Sequence, residues 1–191
     1  MKWNILIAMV FIHGIILAQT PCPPWGNAKE GTLVYTLNLK KNRVDIPSNY
    51  QQIGILDFLN FPDDSIGDGV AYEMTGGYVV DVKITGPESS NCGSITDHDF
   101  HIMVIPSPND VGNKSKYVIV EITPRIKKLL SWTDQEILDL KGNYVNFFGY
   151  KFGDLEHKNA SVKSYPNRAS CWRGSINEIH PVTKFVIINQ Q

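Results

Sequence analysis

Val70-Ala71-Tyr72-Glu73-Met74-Thr75-Gly76-Gly77-Tyr78-Val79-Val80-Asp81-Val82-Lys83-Ile84 is a long β-rich run with two glycines in its middle. Alternating apolar side chains describe a strand with one face in a core. Glycine inside such a strand marks a bulge or a sharp bend, which a strand needs to coil into a barrel. Gly86-Pro87 ends the run. Downstream, Phe100 to Ile105 reads as a second strand stopped by Pro106, and Tyr117 to Ile122 as a third stopped by Pro124. Tyr144 to Phe152 reads as a fourth, and Ile176 to Ile188 as a fifth. Pro181 inside the fifth requires an edge or a bulge.

A helix separates the third and fourth strands. Arg125 to Leu130 supplies a short first turn. Thr133 has Glu136 three positions on, the capping-box spacing. Ile137, Leu138 and Leu140 give the buried stripe, and Gly142 stands where a helix ends. Three strands, a helix and two strands is the OB order. The expected fold is therefore mainly β: a small five-stranded OB-like antiparallel barrel over residues 70–191. An irregular, partly ordered extension over 19–69 precedes it. An open β-sandwich is the alternative, but it usually has more strands and no such helix. Val80, Val82, Ile102, Val104, Val118, Val120, Val145 and Phe147 are the expected core.

Before the barrel, Gln19 to Gly31 is rich in Pro and Gly and reads as an exposed leader. Leu33 to Leu37 reads as a strand, and Lys40-Lys41-Asn42-Arg43 as a solvated turn. Residues 1–18 read as a signal peptide cleaved after Ala18, with a positive start and the apolar run Ile5 to Ala18. That run is shorter than the ~20 residues a membrane span requires. No membrane span is expected after cleavage, and a secreted or periplasmic location is. Three cysteines remain, and Cys92 with Cys171 is the favoured pair.

The net charge of -1 excludes the strongly basic balance of a dedicated duplex-DNA binder. Chemistry concentrates near strand ends. Asp97, Asp99 and His101 alternate onto one strand face, while His98 points the other way. Glu121 ends the third strand; Asp154 and His157 follow the fourth; Glu178 and His180 share a face of the fifth. Asp99, His101, Glu121 and His180 form the expected polar site at the barrel surface. Asp97, His157, Glu178 and Arg125 are secondary members. Carboxylates and imidazoles at this spacing can hold a divalent ion or pair with each other. No metal and no cofactor is assigned. On the fourth strand Tyr144, Phe148, Tyr150 and Phe152 alternate to one side, a stacking face of the kind OB-folds use unless the extension covers it. Arg168 and Arg173 are candidate phosphate contacts. No nucleophile elbow, zinc-protease or phosphate-loop motif is present.

Four segments carry a resemblance: Gly77-Tyr78-Val79-Val80-Asp81-Val82-Lys83, Asp97-x-Asp99-x-His101, Glu121-Ile122-Thr123-Pro124-Arg125 and Glu178-Ile179-His180-Pro181-Val182-Thr183. Together they resemble a group of uncharacterised secreted bacterial proteins with an OB-like domain, over about Gly77 to Val186. The resemblance implies the fold and export but supplies no activity. Glu121-x-Thr123-Pro124 also resembles the strand end of thermonuclease-type OB enzymes and departs from it at Arg125. Two functions follow as expectations. One is a non-catalytic binding or interaction module for an oligosaccharide, single-stranded nucleic acid or another envelope protein. The other is a metal-dependent hydrolase, of phosphodiesters for example, built on the His/carboxylate cluster.

Overall fold

The computed structural model describes residues 21–64, 66–67 and 69–188, so the expected signal peptide lies outside the described residues. The extension supplies helix α1 (Leu33–Lys41), strand β1 (Gln51–Gly54) and helix α2 (Ile55–Leu59). The barrel strands are β2 (Ala71–Ile84), β3 (Phe100–Ile105), β4 (Val118–Ile122), β5 (Tyr144–Gly153) and β6 (Asn177–Ile188). Helices α3 (Pro124–Leu129) and α4 (Asp134–Leu138) connect β4 to β5. The strand order is β1-β2-β3-β4-β6-β5, and β5 returns to β2 to close the barrel. The expected five strands and intervening helix are all present. One departure is that β4 and β6 run parallel, so the barrel is not purely antiparallel. The other is β1, which adds a parallel strand outside it.

β2 closes the barrel because it belongs to two barrel pairs at once. Its first half pairs with β5 and its second half with β3. The turn between the halves falls at Gly76, whose φ is +70°. There the β5 register shifts between Met74 and Gly77. Gly77 faces the interior, where a Cβ would stand 2.2 Å from Val104 Cγ1. A second bulge lies between Val79 and Asp81. It reverses the expected inward face locally: Val79 is fully buried and Val80 is not. Val82 is partly buried against the core. The other expected core residues, Ile102, Val104, Val118, Val120, Val145 and Phe147, are buried. Ile137 and Leu140 from the helical connection join them, held by the Thr133–Glu136 capping box.

Pro181 sits in β6, which lies between β4 and β5 and is no edge. The β5–β6 register shifts twice near it, so the bulge alternative holds.

The extension departs most from expectation. Leu33 to Leu37 is helical, because Thr32 caps the segment by accepting a hydrogen bond from the Tyr35 N–H. Two basic residues in the last turn of α1 complement its dipole. The Lys40–Arg43 stretch is not a solvated turn: Lys41 and Asn42 are buried. Asn42 Nδ2 donates to Pro24 O and Ser90 O, and Asn38 Nδ2 to Trp25 O. Cys22 pairs with Cys92, not Cys92 with Cys171. Cys171 is free and buried, its thiol 3.3 Å from both Ser161 O and Tyr165 O. The extension does cover the outer aromatic face of β5. Arg43 stacks 3.4 Å over the Tyr150 ring, Tyr50 meets Phe148 edge-on, and Lys41 lies over Phe152.

Candidate functional site

Strand pairing builds the site. On the outer face of β2, β3 and β4, Lys83 lies opposite His101, and His101 opposite Glu121. Ile119 on β4 faces Glu178 on β6, which brings His180 beside Glu121. An outward row on a barrel is normally solvated. Here α1, the β2–β3 loop and the long β5–β6 loop lie over it. Glu121, Glu178 and His180 are therefore buried although they point away from the core.

Buried charge must be paired, and this row is. His101 Nε2 lies 3.0 Å from Glu121 Oε1 and 3.6 Å from Glu88 Oε1. His180 Nδ1 lies 3.0 Å from Glu121 Oε2 and 3.2 Å from Glu178 Oε2. The covering loop continues the chain of charges. Arg173 Nη2 donates to Glu178 Oε1 at 2.5 Å, and Arg173 Nη1 lies 3.8 Å from Asp154 Oδ2. The same Asp154 oxygen holds His157 Nδ1 at 2.5 Å. Lys41, from α1, reaches Glu156 at 3.8 Å.

Protonation follows from this pairing. Burial opposes charge on His101, but the Glu121 carboxylate outweighs it and raises the imidazole to about 11. Burial and the same carboxylate act likewise on His180, raised to about 10. Burial would lift Glu121; the two imidazoles hold it well below the usual carboxylate range. Asp154 is held at about 2 by His157 and Lys41 against burial. His157 is raised by its hydrogen bond to Asp154. Lys41 is raised despite burial, by Asp154, Glu121, Glu178 and Glu88. Asp99 is the exception. Burial, then Glu88 and Glu121, push it up to about 7, and its Oδ2 has no hydrogen-bond partner.

The network is not sealed. A cleft of about 390 Å³ opens onto it, lined by Asn38, Lys41, Glu88, His101, Glu156 and His157 among others. Two imidazoles therefore face one cavity, each backed by a buried carboxylate. His157 uses Nδ1 on Asp154, which leaves Nε2 for the cleft.

Of the expected site, the structure unites His101, Glu121, His180, Glu178 and His157. Asp99 lies beneath them, bonded by Asn91 Nδ2 at 3.2 Å. Asp97 is exposed beside Ser94, and Arg125 donates to Cys22 O and Pro23 O, so neither joins the cluster. Arg173 is no surface phosphate contact: it is 1% exposed and committed to Glu178 and Asp154. Lys41, Glu88 and Glu156 carried no signal in the sequence, since loop packing alone brings them here.

Glu121, Glu178 and His180 also offer three ligand atoms within 4.8 Å of one another. Of the expected polar site only Glu121 and His180 belong to that set; His101 and Asp99 do not. The second oxygen of each carboxylate already faces a cation, His101 or Arg173. An ion would have to displace the His180 proton and sit among those charges. Protons already balance this donor set.

No family model, no curated protein and no solved structure matches the chain. What fold and cluster define together is a closed β-barrel with a charge-coupled acid–base group under its outer face.

Proposed function

We propose that this chain is an exported hydrolase that cleaves phosphodiesters by acid–base chemistry in the cleft of His101 and His157. One observation carries the reading: two imidazoles share a cavity, and each is oriented by a buried carboxylate. A purely structural network gains nothing from an opening, and apolar packing would replace it at similar or better stability. A catalytic one needs both the buried partners and the opening. The fold supports the location. The cleft lies over His101 of the second barrel strand and between the loops that follow strands one and four, a region where OB barrels take their ligands. The Cys22–Cys92 bridge supports an oxidising compartment and hence export, to the medium or the periplasm.

The residues divide the work by their charges. Lys41 and the His101 imidazolium hold the non-bridging phosphate oxygens. Glu88, kept ionised against burial by the His101 hydrogen bond, takes a proton from water as the water oxygen bonds to phosphorus. The bond from phosphorus to the leaving oxygen breaks, and His157 Nε2 gives that oxygen its proton. Exchange with solvent restores both groups. Asp154 keeps the His157 ring in the required tautomer, as orienting carboxylates do.

The test is hydrolysis of methyl 4-nitrophenyl phosphate by the purified mature chain, with and without EDTA. Release of nitrophenol that survives EDTA and falls roughly 10²-fold or more in His157→Ala is expected. Loss of activity on chelation would move the chemistry to a metal at Glu121, Glu178 and His180. Binding of the diester without turnover would leave a non-catalytic module.

A further inference from the structure

His101 lines a second cavity of about 400 Å³ on its other side, over β2, β3 and β4. This one is largely apolar. Met103 and Ile119, paired across β3 and β4, form its floor. Trp172 forms a wall, with Lys83 and Thr85 at the margin. The two cavities are neighbours through two contacts. His101 belongs to both, and the Trp172 ring meets His157 edge-on with centroids 6.2 Å apart. Trp172 is fixed from both ends. Its backbone N–H donates to Ala160 O, and the next residue, Arg173, is locked into the buried charge network while lying 5.3 Å from the indole.

We propose that this cavity seats one unpaired base of a single-stranded nucleic acid, stacked on Trp172, with its phosphate in the neighbouring cleft. The proposal rests on the phosphodiester reading above and names its substrate. An aromatic wall beside cationic side chains is what single-strand binding uses, since every base has a face to stack and every linkage a charge. Lys83 on one side and Lys41 on the other extend the cationic path past His101. A duplex keeps its bases inside the stack, and only a splayed base can enter a notch next to its own phosphate. A sugar requires side chains that meet its hydroxyls. Here the Thr85 hydroxyl already donates to Asp99 O, and the floor is Met and Ile. A peptide strand would require a free sheet edge at the cavity floor, and β3 and β4, which form that floor, are each paired on both sides.

The experiment compares three fluorescein-labelled probes by anisotropy on the full mature chain in EDTA: a dT decamer, an abasic decamer with the same phosphates, and a decamer duplex. The dT decamer should bind about tenfold or more tighter than the abasic one, which is the size of one base–aromatic stack. The duplex should bind no better than the abasic strand. Trp172→Ala should erase the difference between the dT and abasic decamers, and Trp172→Phe should restore most of it. That rescue separates a lost stack from a misfolded variant, and a thermal melt of each variant checks it. Equal binding of the dT and abasic decamers overturns the proposal. So does an equal loss for both in Trp172→Ala, or displacement of the dT decamer by a neutral glucose hexasaccharide. The two readings fail separately. Turnover of methyl 4-nitrophenyl phosphate with no base preference sinks the base site alone. A base preference without turnover of any diester sinks the hydrolase alone.

Discussion

At Asp99 a single side chain reports the electrostatic state of the site. It is 1% exposed, receives one hydrogen bond from Asn91, and lies among carboxylates. An acid raised in the folded state binds its proton more tightly folded than unfolded. Its contribution to stability is therefore complete below the unfolded value of about 3.9 and disappears as pH rises towards about 7. Asp99→Asn keeps the oxygen that accepts from Asn91 and cannot ionise. Relative to wild type, the variant should gain stability from pH 4 to pH 7 by up to roughly 1.4 kcal/mol per pH unit. Urea unfolding at pH 4, 5.5, 7 and 8 reads this directly. Parallel curves would mean that Asp99 ionises freely. The sequence already placed Asp99, His101, Glu121 and His180 at strand ends of one barrel, because alternation assigns faces from spacing alone. It could not show that this outer face is covered. Asp97 was misplaced for the related reason that the strand begins only at Phe100, so the alternation does not extend back to it.

Among the elements, β2 was the most legible and α1 the least. The Gly76-Gly77 pair announced a bend, and the bend is what lets β2 pair with β5 and then with β3. The bulge after Val79 had no such marker, because valine tolerates either side of it; the inward residue was therefore misread by one. Gly77→Ala tests the bend. Its methyl would meet Val104 Cγ1 at 2.2 Å inside the barrel, so overpacking should cost about 1–3 kcal/mol. Chemical denaturation checks the size, and Val104→Ala in the same chain should recover part of the loss by making room. A neutral Gly77→Ala would mean that the two strands do not approach so closely. In α1, Leu-Val-Tyr-Thr-Leu has the composition of a strand. The Thr32 cap and the buried face of Leu37, Asn38 and Lys41 decide for helix. Tertiary context outweighs so weak a propensity.

For the whole molecule, the extension is the cover that turns a barrel face into a site. The Cys22–Cys92 bridge closes a separation of 70 residues, which on the chain-entropy view is worth about 4 kcal/mol. It ties the leader to the loop that carries Glu88, while Asn38 and Asn42 tie α1 to the same region. Lys41 enters the cleft by this route. None of this was legible, since disulfide pairing and loop docking are set by distances that spacing does not encode. The fold and part of the charged cluster were legible because strand order and alternation are local. The rest, Lys41, Glu88, Glu156 and the inward turn of Arg173, depends on how the extension and the β5–β6 loop close over the barrel.

The central claim is that barrel face and cover form one charge-coupled acid–base site. Imidazole titration by long-range ¹H–¹⁵N NMR, assigned with single histidine variants, tests it most directly. His101 and His180 should stay protonated from pH 5 to pH 9, because their folded values of about 11 and about 10 lie above that range. His157 should titrate above its ordinary 6.5, and Asp154→Asn should bring it back down. Neutral His101 and His180 at pH 7, each titrating near 6.5 and indifferent to Asp154→Asn along with His157, would contradict the account.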